Sequence, residues 1–188
     1  MPWFRKSHLD PLAVTMAGVK LGDRLLVMGT ADTALIAALA GKVGLTGRAC
    51  ALDASESATA SAARIVEREG ALVETYTAPW TMLPFDRDTF DVVVLRNVLN
   101  SIEADARLRS AGDIFRVLRP GGRAIVIEDQ HRGKLAGLVR TAPADPQYER
   151  SGGAVHVLEA AGFRAVRTLA TREGQVFVEG VKAQALST

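Results

Sequence analysis

Short apolar runs along this chain alternate with stretches whose apolar residues recur at helical spacing. Residues 25–28 form one such run, and a Gly-containing turn over 29–33 leads from it into a helical pattern over 33–42. A second run, 48–52, ends on Asp53. Strand, tight turn, helix, strand and carboxylate is the opening half of a nucleotide-binding α/β sheet. Glycine at the turn lets a ligand approach the backbone, the first N–H groups of the helix face it, and Asp53 is placed to accept the hydroxyls of a ribose. The competing reading of Asp53 is a helix-capping acid at a strand end.

The pattern continues in the same manner. A lead-in helix is expected over 12–18. A helix is expected over 55–69, with Ser55 or Ser57 as cap, Glu56 in its first turn and Gly70 as its stop. Strand three is expected over 72–76, and the unbroken apolar run 90–95 reads as a central parallel strand. A helix over 104–118 ends at Pro120 and two glycines, and strand five follows over 124–127. After a helix over 155–161, two β-rich segments, 165–169 and 176–181, are joined by the polar turn 171–175. So short a connection permits only an antiparallel hairpin. The expected fold is α/β, a three-layer Rossmann-like sheet, mostly parallel, with an antiparallel C-terminal β-hairpin. Residues 1–20 are expected to form a lead-in helix or lid, and residues 21–188 a single domain.

Composition narrows the function classes. A chain of 188 residues, 48% hydrophobic, can bury a full core. With 23 basic and 21 acidic residues the net charge is +2, and without a basic tract nucleic acid is not an expected partner. The single cysteine, Cys50, leaves no internal disulfide and fits a reducing, cytoplasmic setting. His8, His131 and His156 are too scattered for a metal site, and none is expected. No apolar run approaches the roughly 18 residues of a spanning helix, so membrane insertion is not expected.

Five segments in this order resemble the class I S-adenosylmethionine-dependent methyltransferases, especially small bacterial ones acting on lipids and small metabolites. They are GDRLLVMGTAD (22–32), LPFDRDTFDVVVL (83–95), VLNSI (98–102), RVLRPGGRAIVIED (116–129), and LEAAGFRAV with VFVEGVKA (158–166 and 176–183). The Leu-Pro-Phe, Phe-Asp and Arg-Pro-Gly-Gly elements carry most of the likeness. The resemblance implies S-adenosyl-L-methionine as cofactor, lying across Gly29, Thr30, Ala31 and Asp32, with Asp53 and Ala54 at the ribose. It places Pro79 and Trp80 beside the adenine, and Leu95 and Arg96 at the end of strand four. Trp80 reads equally as plain core. The chain departs from the family's pattern at Val27, where an acid is usual, and at Ala31 and Thr33, where glycines are usual. Pro79, Trp80, Leu95, Arg96 and Asn100 are further departures.

The function so implied is methyl transfer to a small-molecule or lipid-like acceptor. Asp129 and His131, just past strand five, are the candidate catalytic residues if the acceptor must lose a proton, the competing reading being solvated loop residues. Basic and apolar residues at Trp3 to Lys6 and over 130–140 suggest a lid or peripheral contact with an anionic membrane surface, against a helix packing on the sheet with a solvated basic side. Two other classes stand beside this one: a pseudoenzyme keeping the fold as a binding module, and a nicotinamide-dependent enzyme reading 29–34 as a weakened G-x-G-x-x-G.

Overall fold

The computed structural model describes residues 11–130 and 145–184. In chain order these form helix α1 (Pro11–Ala17), strand β1 (Arg24–Met28), α2 (Thr33–Val43), β2 (Arg48–Asp53), α3 (Glu56–Arg68), β3 (Glu74–Thr77) and β4 (Phe90–Arg96). A 3-10 turn, Leu99–Ser101, leads to α4 (Ala104–Val117), β5 (Leu118–Asp129), α5 (Pro146–Arg150), α6 (Gly153–Ala160), β6 (Arg164–Arg172) and β7 (Gln175–Val181). The strands make one sheet in the order β3-β2-β1-β4-β5-β7-β6. The first five are parallel to their neighbours, and β7 runs antiparallel to both β5 and β6. The mostly parallel sheet and its closing hairpin are as the sequence pattern predicts.

Strand alternation divides the core into two layers. Leu26, Met28, Val93, Leu95, Ala124 and Val126 pack on the side of α4 and α6. Leu25, Val27, Val92, Val94, Ile125 and Ile127 pack on the side of α1 and α2. Central strands apolar on both faces are what a parallel sheet covered by helices requires. Helix α1 lies within this second layer through Ala13, Val14 and Ala17. Cys50 is fully buried in the first layer, and loss of solvent pushes its thiol up to about 11, consistent with a packing role.

Two connections differ from the sequence reading. The hairpin turn is two residues, not five: Glu173 and Gly174 both have positive φ, 54° and 78°. That is the type I′ pattern whose twist matches the strands, so they extend inward to Arg172 and Gln175. Strand β5 begins at Leu118, ahead of Pro120, because Leu118 already pairs with Phe90 before the register shifts to Arg123 against Val92. Arg116 gives the Leu-Pro-Phe segment a structural task. Its guanidinium donates to the carbonyls of Phe85 (2.6 Å) and Leu83 (3.0 Å) and pairs with Asp113, tying that segment to α4.

Candidate functional site

The carboxyl ends of β1, β2, β4 and β5 meet along one edge of the sheet, where ligands bind in open α/β folds. Gly29 turns the chain out of β1 with φ +91°, and a Cβ there would meet the Arg96 carbonyl at 2.4 Å. Only glycine fits this position. The next residue, Thr30, is buried and donates twice to Oδ2 of Asp53, from its N–H (2.9 Å) and its hydroxyl (2.9 Å). Oδ1 of Asp53 accepts from the Ser55 N–H (3.0 Å). Asp53 therefore buttresses the loop while remaining partly exposed, and a carboxylate with about four acceptor positions has roughly one left for a ligand hydroxyl. Ser55, not Asp53, caps α3.

Asp32 caps α2 by accepting from the Leu35 N–H at 3.0 Å. Its other oxygen faces Arg96 Nε at 3.6 Å, and the Arg96 Nη2 reaches Asp129 at 2.9 Å. Arg96 thus spans from the glycine loop to the end of β5. Its Nη1 is buried and has no partner among the described residues. Asp129 also accepts from Asn97 (2.7 Å) and Gln175 (3.1 Å). Burial alone would raise its carboxyl, but these hydrogen bonds and the Arg96 charge outweigh that and hold it below the usual range. An acid so stabilised as the anion is a weak proton acceptor.

A cavity of about 480 Å³ opens at the end of β5, lined by Asp129 and by Asn100, Glu128, Tyr148, Val176 and Val178 among others. Glu128 follows Asp129 by one in reverse and so points to the opposite face of the sheet, in line with Ala124 and Val126. It is 8% exposed. Oε1 accepts from the Asn100 N–H (3.0 Å), and the Tyr148 hydroxyl lies 3.0 and 3.1 Å from Oε1 and Oε2. Desolvation raises the Glu128 carboxyl to about 7 despite the Tyr148 and Asn100 hydrogen bonds and the Arg107 charge, which oppose it. Arg107 lies 4.4 Å from the Tyr148 ring centroid and pairs with Asp145 at 2.8 Å, so it fixes the phenol in place.

The remaining sequence candidates fall as follows. Ala31 and Ala54 are exposed on their loops, and Pro79 is exposed beside the half-buried Trp80, which packs on the first core layer. The Leu95 side chain is fully buried in that same layer. His131 and the segments Trp3 to Lys6 and 131–140 lie outside the described residues. His156 is exposed on α6. Among the described residues no group of three His, Cys, Asp or Glu is placed to hold a metal, and no helix is long and apolar enough to cross a membrane. Glu128, Tyr148 and Arg107 escaped the sequence reading. The period-2 alternation along β5 was the available signal, since it puts Glu128 on a core-facing position where an acid needs a reason.

Residues 26–126 match the family model described as a methyltransferase domain. The chain is 34% identical over 127 residues to the chloroplastic 2-phytyl-1,4-beta-naphthoquinone methyltransferase of Arabidopsis thaliana. It is 31% identical over 118 residues to the ubiquinone/menaquinone biosynthesis C-methyltransferase UbiE of Escherichia coli O1:K1 / APEC. These alignments cover 62% and 61% of this chain and 46% of each relative, so the chain spans about half the length of the curated relatives it matches. A solved structure of a SAM dependent methyltransferase from Aquifex aeolicus superposes with a TM-score of 0.77 at 22% identity, covering 97% of this chain and 94% of that one. Fold, matched span and sequence likeness agree: the chain belongs to the methyltransferase-domain family, among the class I methyltransferases whose cofactor is S-adenosylmethionine.

Proposed function

We propose that this protein transfers a methyl group from S-adenosylmethionine to a small organic acceptor, of the ring type named for its quinone-methyltransferase relatives. The observation that carries the reading is the meeting, at one sheet edge, of a glycine turn buttressed by Asp53 with a cavity holding a buried acid. The residues present suit the cofactor. Asp53 Oδ1 has an acceptor position open toward a ribose hydroxyl, and the unpartnered Arg96 Nη1 offers a donor to a carboxylate. Gly29 to Asp32, Asp53 and Ala54, Pro79 and Trp80, and the ends of β4 at Leu95 and Arg96 are the residues proposed to hold it. When bound, it would supply an activated methyl group on a sulfonium. The chain's own contribution is then orientation, exclusion of water and, where the acceptor carries a proton, a group to receive it. Glu128 suits that last task better than Asp129, because its carboxyl titrates near neutrality while Asp129 is held ionised.

A second reading has its own support. Asp32, Arg96 and Asp129 already satisfy one another across the loop, and Val27 brings no acceptor. A chain in which that pairing stays closed is a binding module without turnover. Calorimetric titration with S-adenosylhomocysteine separates the two. Binding in the micromolar range, followed by radiolabelled methyl transfer to quinol acceptors, supports the enzyme. No binding at millimolar ligand supports the module.

A further inference from the structure

The buried part of the cavity beside β5 has a one-sided hydrogen-bonding character, the Gln130 and Thr168 side chains that can also donate being exposed. Its buried polar atoms that lack protein donors are acceptors. Glu128 takes hydrogen bonds from Tyr148 and from the Asn100 backbone, yet as a carboxylate it has acceptor positions to spare. The Asn100 Oδ1 is buried with no partner among the described residues, while its Nδ2 is turned to the Asn97 side chain at 3.4 Å. The walls are apolar, from Ala154, Val155, Val176 and Val178. Of the other acids there, Asp129 is engaged by Arg96, Asp145 by Arg107, and Glu149 is exposed on α5.

We infer that this cavity binds a ligand with an apolar body that presents a hydroxyl or N–H donor, and that Glu128 selects it by accepting that hydrogen bond. A carbonyl, ether or carboxylate at the same place would set acceptor against acceptor and leave buried groups unpaired, the costliest outcome in such a site. At about 480 Å³ the volume accommodates a two-ring aromatic body with room beyond it. A donor that must lose its proton on reacting would lose it to Glu128, whose carboxyl gains it while the electron pair stays on the ligand. Calling this ligand the methyl acceptor rests on the function proposed above; the donor preference does not.

The groups facing Glu128 define how binding responds to pH. They are Arg107 from α4, Tyr148 and Glu149 from α5, and the Asn100 N–H from the 3-10 turn, with the uncharged Val176 opposite on β7. Above about pH 7 the carboxylate accepts; below it the protonated carboxyl loses that advantage.

The test uses the full chain and four probes: 1-naphthol, 1-naphthylamine, 1-methoxynaphthalene and 1-naphthoate. At pH 8 the two donors should bind about tenfold tighter than the ether, as expected of one hydrogen bond to a charged acceptor, and the carboxylate weakest. The two donors between them tell hydroxyl from amine ligands. Naphthol affinity should fall as pH drops through 7. In Glu128→Gln the amide oxygen stays with Tyr148 and Asn100 and its NH2 turns to the cavity, so the donor preference and the pH dependence should both vanish. Tyr148→Phe removes a bond that favours the anion, and the midpoint should move above 7. Equal binding of naphthol and methoxynaphthalene, no binding of either, or a donor preference retained in Glu128→Gln would overturn the inference. S-adenosylhomocysteine titrated in parallel should bind wild type and Glu128→Gln alike. Failure there would remove the methyltransferase reading, while the naphthol series would still decide the donor site.

Discussion

Asp53→Ala should cost stability as well as ligand affinity, because the structure gives Asp53 a task inside the protein. Thr30 is 2% exposed and its N–H has Asp53 Oδ2 as its acceptor at 2.9 Å. Removing the carboxylate strands that donor in the core, which costs about 1–3 kcal/mol. The Ser55 N–H lies in an exposed segment and can turn to water at little cost. The Thr30 hydroxyl adds a second lost bond, of about 1 kcal/mol. A net loss of about 3 kcal/mol follows, which for a chain of this size lowers Tm by about 6–12 °C. Thr30→Val removes only the hydroxyl bond and should cost about 1 kcal/mol in the wild-type background, but close to nothing once Asp53 is gone. Urea denaturation of the two single variants and the double variant measures this coupling. S-adenosylhomocysteine affinity should drop at least tenfold in Asp53→Ala under conditions where the variant is fully folded. If Asp53→Ala unfolds within 0.5 kcal/mol of wild type, or Thr30→Val costs the same in both backgrounds, the buttress is not what holds the loop.

Three further outcomes are expected. Gly29→Ala, with φ +91° and a Cβ 2.4 Å from a backbone oxygen, should destabilise by about 2–4 kcal/mol in chemical denaturation and abolish cofactor binding; near-wild-type stability would mean the turn adapts. Arg96→Met should weaken S-adenosylhomocysteine binding more than it weakens adenosine binding, since only the former carries a carboxylate for Nη1; equal losses would disprove the contact. Glu128 has a folded carboxyl near 7 against an ordinary value of 4.5, so the protonated form is favoured in the folded state. Its contribution is fully present below about pH 4.5 and is lost as pH rises through 7, a fall of about 3 kcal/mol. Glu128→Gln should therefore flatten the stability profile between pH 5 and 8, and an unchanged slope would show that other groups set it.

Much of the architecture was legible because apolar periodicity reports burial directly. Residues 24–28 and 48–52 read as strands and the run 90–95 as a central parallel one, and β4 occupies the middle of the sheet. The hairpin was legible from the shortness of its connection. Its turn was not, because Glu173 in a left-handed conformation is uncommon and only the following Gly174 signals it. Pro120 and two glycines read as a stop, yet the pairing of Leu118 with Phe90 precedes them, a long-range contact with no local signature. The glycine loop and Asp53 announced themselves by position. The buried acid did not: Asp129 drew notice as the acid at the strand end, whereas Glu128 became interesting only when α5, 20 residues on, brought Tyr148 to it.

The placement of β7 has a consequence for how this scaffold diversifies. The strand slots between β5 and β6, so one wall of the donor cavity comes from Val176 and Val178, while the glycine turn and Asp53 come from the first third. The two halves of the site are encoded by separate stretches of chain, bridged at the end of β5 by Arg96 and Asn97, which both bond Asp129. The family match ends at residue 126, two positions before Glu128. The positions proposed to hold the cofactor, Gly29 to Arg96, thus lie wholly within the matched span, whereas Glu128 and Tyr148 of the donor cavity lie beyond it. Exchanging side chains at Tyr148, Val176 or Val178 therefore alters which guest fits while leaving the glycine turn and its Asp53 buttress as they are.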